Sequence, residues 1–283
     1  MNDQAIIEQA IARIRGEFGS DLLGLIVGGS RLRSEGDPQS DLDFVVVIAR
    51  PQRKRWNFSI EGVDVETLIN PPFQMRRYFE EERMDGRGLM PHLCSTGHIV
   101  FDPEGLMAAL QAEASSIWNA GPPPLSVREN WQFRYHAADA LRDLADVETS
   151  DPERAAFLVG LILPKLINQH YRISGRWLAK PNRVFNDLAI WDAAAANLAR
   201  KACSDGATTG ERCAAVRRLA DHVLAPLGGI MPTEWSTDWE FLVPAVATLI
   251  EQYDLWQRSD QCLGQESPRQ LTPPRCARAP VAH

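Results

Sequence analysis

The sequence predicts an α+β protein: a small mixed β-sheet with flanking helices, followed by an α-helical bundle. Three observations carry that expectation. Short apolar runs of strand length are confined to residues 22–101. Two of them, Leu22–Val27 and Phe44–Ile48, are bounded by turn residues and read as adjacent buried strands. After Gly121-Pro-Pro-Pro124 no strand pattern recurs and the apolar residues fall at helical spacing.

Each element follows from its residues. Ile6, Ile7, Ala10, Ile11, Ile14 and Phe18 lie on one helical stripe over 4–18, and Gly19 can close that helix. The two buried strands come next. Arg50-Pro-Gln-Arg-Lys-Arg55 reads as a solvated basic loop, with an anion-binding role as the alternative. Ser59–Asn70 reads as one strand, stopped by Pro71-Pro72. Phe73–Met84 is a charged helix and His98–Phe101 a short strand. Asp102-Pro103-Glu104 starts a helix running to about Trp118, with proline just inside it.

The segment 121–124 is the best linker. Helices are expected at 127–147, 152–173, 183–204, 209–225 and 238–257. Ser126 with Glu129, and Ser150 with Glu153, make capping boxes, and Pro164 predicts a kink. From about Ser259 the chain turns polar and proline-rich, which predicts a mobile tail. The domains would be 1–120, 125–258 and the tail 259–283.

Composition narrows the function classes. With 283 residues, 45% of them hydrophobic, the chain can bury a sizeable core. A net charge of −7 lacks the basic footprint of broad nucleic-acid binding, so a nucleic-acid partner is not expected. Five scattered cysteines lack CxxC spacing, so thiols alone suggest no zinc site. No apolar stretch approaches the roughly 20 residues a membrane span needs, and no signal peptide is expected. These features together predict a reduced cytoplasmic protein with no membrane partner.

The chemistry concentrates in Leu22–Ile48. Gly28 and Gly29 permit close backbone approach, Ser30 adds a hydroxyl, and such a turn can cradle an anion. Asp41 and Asp43 open the second strand two residues apart, so both carboxylates point to one side. Hard oxygen ligands of this kind suit Mg2+. Asp64 and Glu66 share a face of the following strand, and either can supply a third acid.

Apolar strand, Gly-Gly-Ser, spacer, Ser-Asp-Leu-Asp, apolar strand and a further acidic strand form a specific combination. It resembles the nucleotidyltransferase superfamily of the DNA polymerase β type, and within it the branch of aminoglycoside and minimal nucleotidyltransferases. The resemblance rests on Gly29 and Ser30, on Asp41 and Asp43, on the arginine-containing spacer and on Phe101-Asp-Pro-Glu-Gly105. Ser34 stands where many relatives have glycine.

The resemblance implies a sheet core of that family and a division of labour. Asp41, Asp43 and a third acid, Glu66 in the more family-like context Val-Glu-Thr-Leu-Ile-Asn-Pro or else Asp64, would hold Mg2+ and serve catalysis. Gly28, Gly29, Ser30, Arg31 and Arg33 would hold the nucleotide phosphates. A nucleoside monophosphate would pass from a nucleoside triphosphate, ATP first, to a hydroxyl acceptor, with release of pyrophosphate. The acceptor could be a small molecule such as an aminoglycoside. It could also be a protein or RNA partner, and the remaining alternative is a non-catalytic nucleotide-binding module.

Outside that stretch the residues read as structural. His92, His98, His136 and His170 lack any spacing that ties them to a metal, and Lys165 has no evident partner. Tyr171-Arg-Ile-Ser-Gly-Arg-Trp177 with Lys180 reads as a structural turn, with a pocket wall as the alternative.

Overall fold

The computed structural model describes residues 3–29, 31–33 and 41–237. The helix expected at 238–257 and the tail at 259–283 lie outside these. The N-terminal half is a five-stranded mixed sheet. Its strands are β1 (Leu22–Gly28), β2 (Leu42–Ile48), β3 (Lys54–Ile60), β4 (Val63–Asn70) and β5 (His98–Phe101), in the order β3-β4-β2-β1-β5. β2 and β4 run parallel, and the other neighbours are antiparallel.

Strand alternation assigns the two faces. Leu42, Phe44, Val46 and Ile48 pack with Ile6, Ile7, Ala10, Ile14 and Phe18 of α1 (Asp3–Phe18). Val45 and Val47 pack instead against α2 (Pro72–Asp85), α3 (Leu89–Thr96) and α4 (Leu106–Ala120). From Phe44 to Ile48 β2 is apolar because both faces are covered. Asp43 keeps the parity of Val45 and Val47, so it projects from the α2–α4 face where that cover ends.

The structure corrects four local expectations. The basic loop ends early: Lys54 and Arg55 already belong to β3, whose Trp56, Phe58 and Ile60 share one face. Cations suit this strand because it is an edge, where charge discourages pairing with another chain. The single strand expected at 59–70 is a hairpin turned at Glu61 and Gly62, both at positive φ (51° and 80°), as a two-residue primed turn requires. The helix expected at Asp102 begins at Leu106. The Asp102 carboxylate accepts from the Met107 and Ala108 N–H groups beyond the turn. Finally, α3 has no counterpart among the expected elements. Its eight residues are too few for a clear period, and it lies between Gly88 and Gly97.

From residue 127 to 224 the described chain is mainly helical. α5 spans Val127–Val147 behind the expected Ser126/Glu129 box, and α6 spans Pro152–Ile173. At α6 the cap is Asp151, which accepts from the Arg154 N–H, while Ser150 donates back to the Asp146 carbonyl. The stretch expected as one helix over 183–204 is two, α7 (Val184–Trp191) and α8 (Ala193–Cys203). Asp192 breaks it by leaving helical angles to cap the Ala195 N–H. α9 (Thr209–Leu224) follows, with its own Thr208/Glu211 capping box.

Residues through Thr233 form one compact unit. The linker is held from both sides: Arg83 donates to the Gly121 carbonyl and Arg172 to that of Pro123. Trp177 stacks on Trp118 at 5.0 Å and donates to its carbonyl. The segment 171–177 is therefore a structural junction. No helix among the described residues is long and apolar enough to cross a membrane.

Candidate active site

Three carboxylates meet at the open end of the sheet. Asp41 precedes β2, Asp43 is its second residue, and Glu66 lies in β4. The parallel register sets Asp43 directly beside Glu66. Ligand oxygens of Asp41, Asp43 and Glu66 lie within 4.8 Å of one another. Asp41 is exposed, and Asp43 and Glu66 are half-buried. Three like charges this close favour a divalent cation among them, and an all-oxygen donor set is what Mg2+ takes.

Asp64 shares the face but not the cluster. It sits two residues before Glu66, opposite Ser59 of β3. It lines a cavity of about 530 Å³ together with Asp41, Asn57, Ser59 and Glu66. Geometry thus places Glu66 among the three acids and Asp64 on the wall of the cleft beside them.

The glycine turn abuts the same acids. Gly28 pairs across the sheet with Asp43. Gly29 has φ +108°, and a Cβ there would lie 3.1 Å from Asp43 Oδ2 and 3.2 Å from the Asp41 carbonyl. Both the angle and the contact require glycine at 29. At Gly28 a Cβ would lie 2.4 Å from a terminal methyl of Leu93 in α3, so any larger residue would have to displace that methyl. Ser30 and the Arg33 side chain lie outside the described residues. The Arg31 guanidinium, mostly buried, pairs with Asp3 at 3.0 Å and fastens the turn to the start of α1.

Sequence reasoning allowed the basic run 50–55 an anion-binding role but did not pair Arg55 with an acid. Arg55 donates to Glu66 from β3. Both side chains are substantially exposed, so the pair contributes at most about 1 kcal/mol. The signal was available in principle: Arg55 stands two residues before Asn57, the register partner of Glu66, and so on the same face, but only once β3 is known to be a strand. Beyond Arg55 a second cavity, about 470 Å³, is lined by Arg53, Asn70, Tyr78 and Glu82 among others. Burial pushes the Glu82 carboxyl up, opposed by the hydrogen bond from the Met90 N–H. Arg53 reaches across to the Tyr78 hydroxyl at 2.8 Å.

Residues 8–87 match the family described as "Nucleotidyltransferase domain". That span runs from α1 through β4 to the end of α2, and so includes all three acids and the glycine turn. The fold is similar to that of a nucleotidyltransferase-like protein from Exiguobacterium sibiricum 255-15. The two are 15% identical, with a TM-score of 0.50 over 78% of this chain and 75% of that one. No curated protein matches the sequence.

Proposed function

We propose that this chain, whose sheet module belongs to the nucleotidyltransferase superfamily, moves a nucleoside monophosphate from a nucleoside triphosphate to a hydroxyl of a small molecule. ATP is the first donor to test, and an aminoglycoside is one acceptor of the class. The observation that carries the reading is the convergence of Asp41, Asp43 and Glu66 beside a glycine held at positive φ. The two neighbouring cavities, about 530 and 470 Å³, are of the size that small-molecule ligands occupy.

In the reaction the acceptor oxygen attacks the α-phosphorus, the bond to the bridging oxygen breaks, and pyrophosphate leaves. Asp41, Asp43 and Glu66 would hold Mg2+, which when bound neutralises charge on the phosphate oxygens. Gly29 keeps the space beside Asp43 clear of a side chain, so a phosphate can approach. Glu66, which lines the larger cavity, would hold that ion or else take the acceptor's proton. Arg55 leaves Glu66 as substrates enter, at small cost because the pair is exposed. Ser30, Arg31 and Arg33 complete the phosphate side of the proposal, and Asp64 the acceptor side.

Incubation with Mg2+, labelled nucleoside triphosphates and a panel of hydroxyl compounds tests the reading. Acceptor-dependent release of pyrophosphate and a labelled acceptor are expected. Absence of both across the panel, or label appearing only on a protein or RNA, would overturn the small-molecule assignment.

A further inference from the structure

The helical half holds a second three-residue cluster with different chemistry. His170 comes from the last turns of α6, Asp192 from the break between α7 and α8, and His222 from the end of α9. Ligand atoms of the three lie within 4.8 Å of one another. Both imidazole Nε2 atoms face one carboxylate oxygen, Asp192 Oδ2, at 2.8 Å from His170 and 2.7 Å from His222. The other oxygen, Oδ1, is engaged by the Ala195 N–H, which fixes the carboxylate's orientation. Trp191 packs against the His170 ring at 4.8 Å. His170 is buried, and the His222 side chain is 39% exposed.

We propose that His170, Asp192 and His222 bind a zinc-class divalent ion that staples α6, the start of α8 and α9 together. Two borderline imidazole nitrogens joined by a single hard carboxylate oxygen form a donor set suited to Zn2+ and poorly suited to Mg2+. Tetrahedral ligands at zinc distances stand about 3.3 Å apart, so each nitrogen–oxygen contact opens by only about half an ångström. Water reaching the cluster past His222 supplies the fourth ligand.

The surroundings also set the strength of binding. With no ion, both histidines carry their proton on Nε2 to serve the same oxygen. His170 Nδ1 is then left buried without a hydrogen-bond partner among the described residues. With the ion on Nε2 the proton sits on that same Nδ1, still without an acceptor. A missing outer partner of this kind lowers metal affinity by about 10–100-fold. The ion is therefore exchangeable and responds to the zinc supply.

The test uses the full chain, stripped with chelator and dialysed against zinc chloride. The Asp43→Asn chain serves as the main sample, because it weakens the separate all-carboxylate cluster. One zinc equivalent per chain and a rise in Tm with zinc, but not with magnesium, are expected. His222→Ala, at a half-exposed position, should fold and should lose the zinc equivalent and the Tm rise. Cobalt(II) should give a tetrahedral d–d spectrum without the thiolate charge-transfer band that exposed Cys203 would produce.

Zinc retained equally by His222→Ala, or a thiolate band, would overturn the site. So would absence of zinc binding in Asp43→Asn, which would leave a hydrogen-bonded triad only. Nucleotidyl transfer is read separately, so loss of either reading leaves the other standing.

Discussion

Among the described residues two clusters of three candidate ligands stand out, one on the sheet and one among the helices, and they differ in almost every respect. Asp41, Asp43 and Glu66 are all carboxylates, lie at an open cleft and come from two neighbouring strands and the residue before one of them, within 26 positions of sequence. His170, Asp192 and His222 mix nitrogen with oxygen, include a buried ring and come from three separate helical segments. The first cluster repels itself, and Arg55 beside Glu66 offsets only part of its charge. The second already satisfies itself through two hydrogen bonds to one oxygen. Under the proposed function, the all-carboxylate cluster takes an ion that arrives with the substrate. A cluster that is comfortable without one serves stability first.

Substitution should separate these roles sharply. Asp43→Asn removes one charge from the open cluster, which under the proposed function holds the metal ion that neutralises the phosphates, and little packing. Nucleotidyl transfer should fall by about 10²–10³ in kcat/KM with Tm unchanged or slightly raised. A fall in Tm with activity intact would reverse the assignment of roles. Asp192→Ala should do the opposite. It removes a helix cap and the shared acceptor of two histidines, for a loss of about 2–4 kcal/mol of stability in urea unfolding. Asp192→Asn keeps the cap acceptor and should lose about half as much.

The same contrast explains what could be read from the sequence. Asp41 and Asp43 announce themselves because a strand puts residues two apart on one face, so two letters fix a geometry. The third acid needed register. Both Asp64 and Glu66 had the right parity, and only the pairing of β2 with β4 sets Glu66 beside Asp43. Arg55 was hidden for a related reason, since the basic run masked the start of β3. The helix-phased segments α5, α6 and α9 were legible to within a residue or two because amphipathic period and caps act locally. The helical triad had no local signal at all. Its members are 22 and 30 positions apart, and they meet only through the packing of α6, α8 and α9.

Acid should expose the second cluster in the chelator-treated chain. Burial lowers the His170 pKa below 6.5, against the pull of Asp192. As pH falls below 6.5 the unfolded chain takes up that proton first, so folding stability drops. Asp192 adds a second window. Burial pushes its carboxyl up, but the Ala195 N–H and the two histidines outweigh that and hold it at about 2. Its contribution is present above 3.8 and is lost as pH falls towards 2. Denaturant midpoints across this range should fall in two stages, and His170→Gln should remove the upper one. An unchanged upper stage in His170→Gln would mean that the histidine titrates alike in both states.

The smallest effect concerns the cation on the first cluster. Arg55 is exposed and pairs with Glu66 at the edge of the site. Truncation to alanine should therefore leave stability within about 0.5 kcal/mol. It should also free Glu66 and make the cluster more negative, so that Mg2+ binds up to about fivefold more tightly in the absence of nucleotide, as isothermal titration would read. A weaker Mg2+ affinity in Arg55→Ala would mean that the guanidinium positions Glu66 for the ion rather than competing for it. The exposed pair would then belong to the assembled site, and its role would resemble the histidines' hold on Asp192 more than the comparison of the two clusters allows.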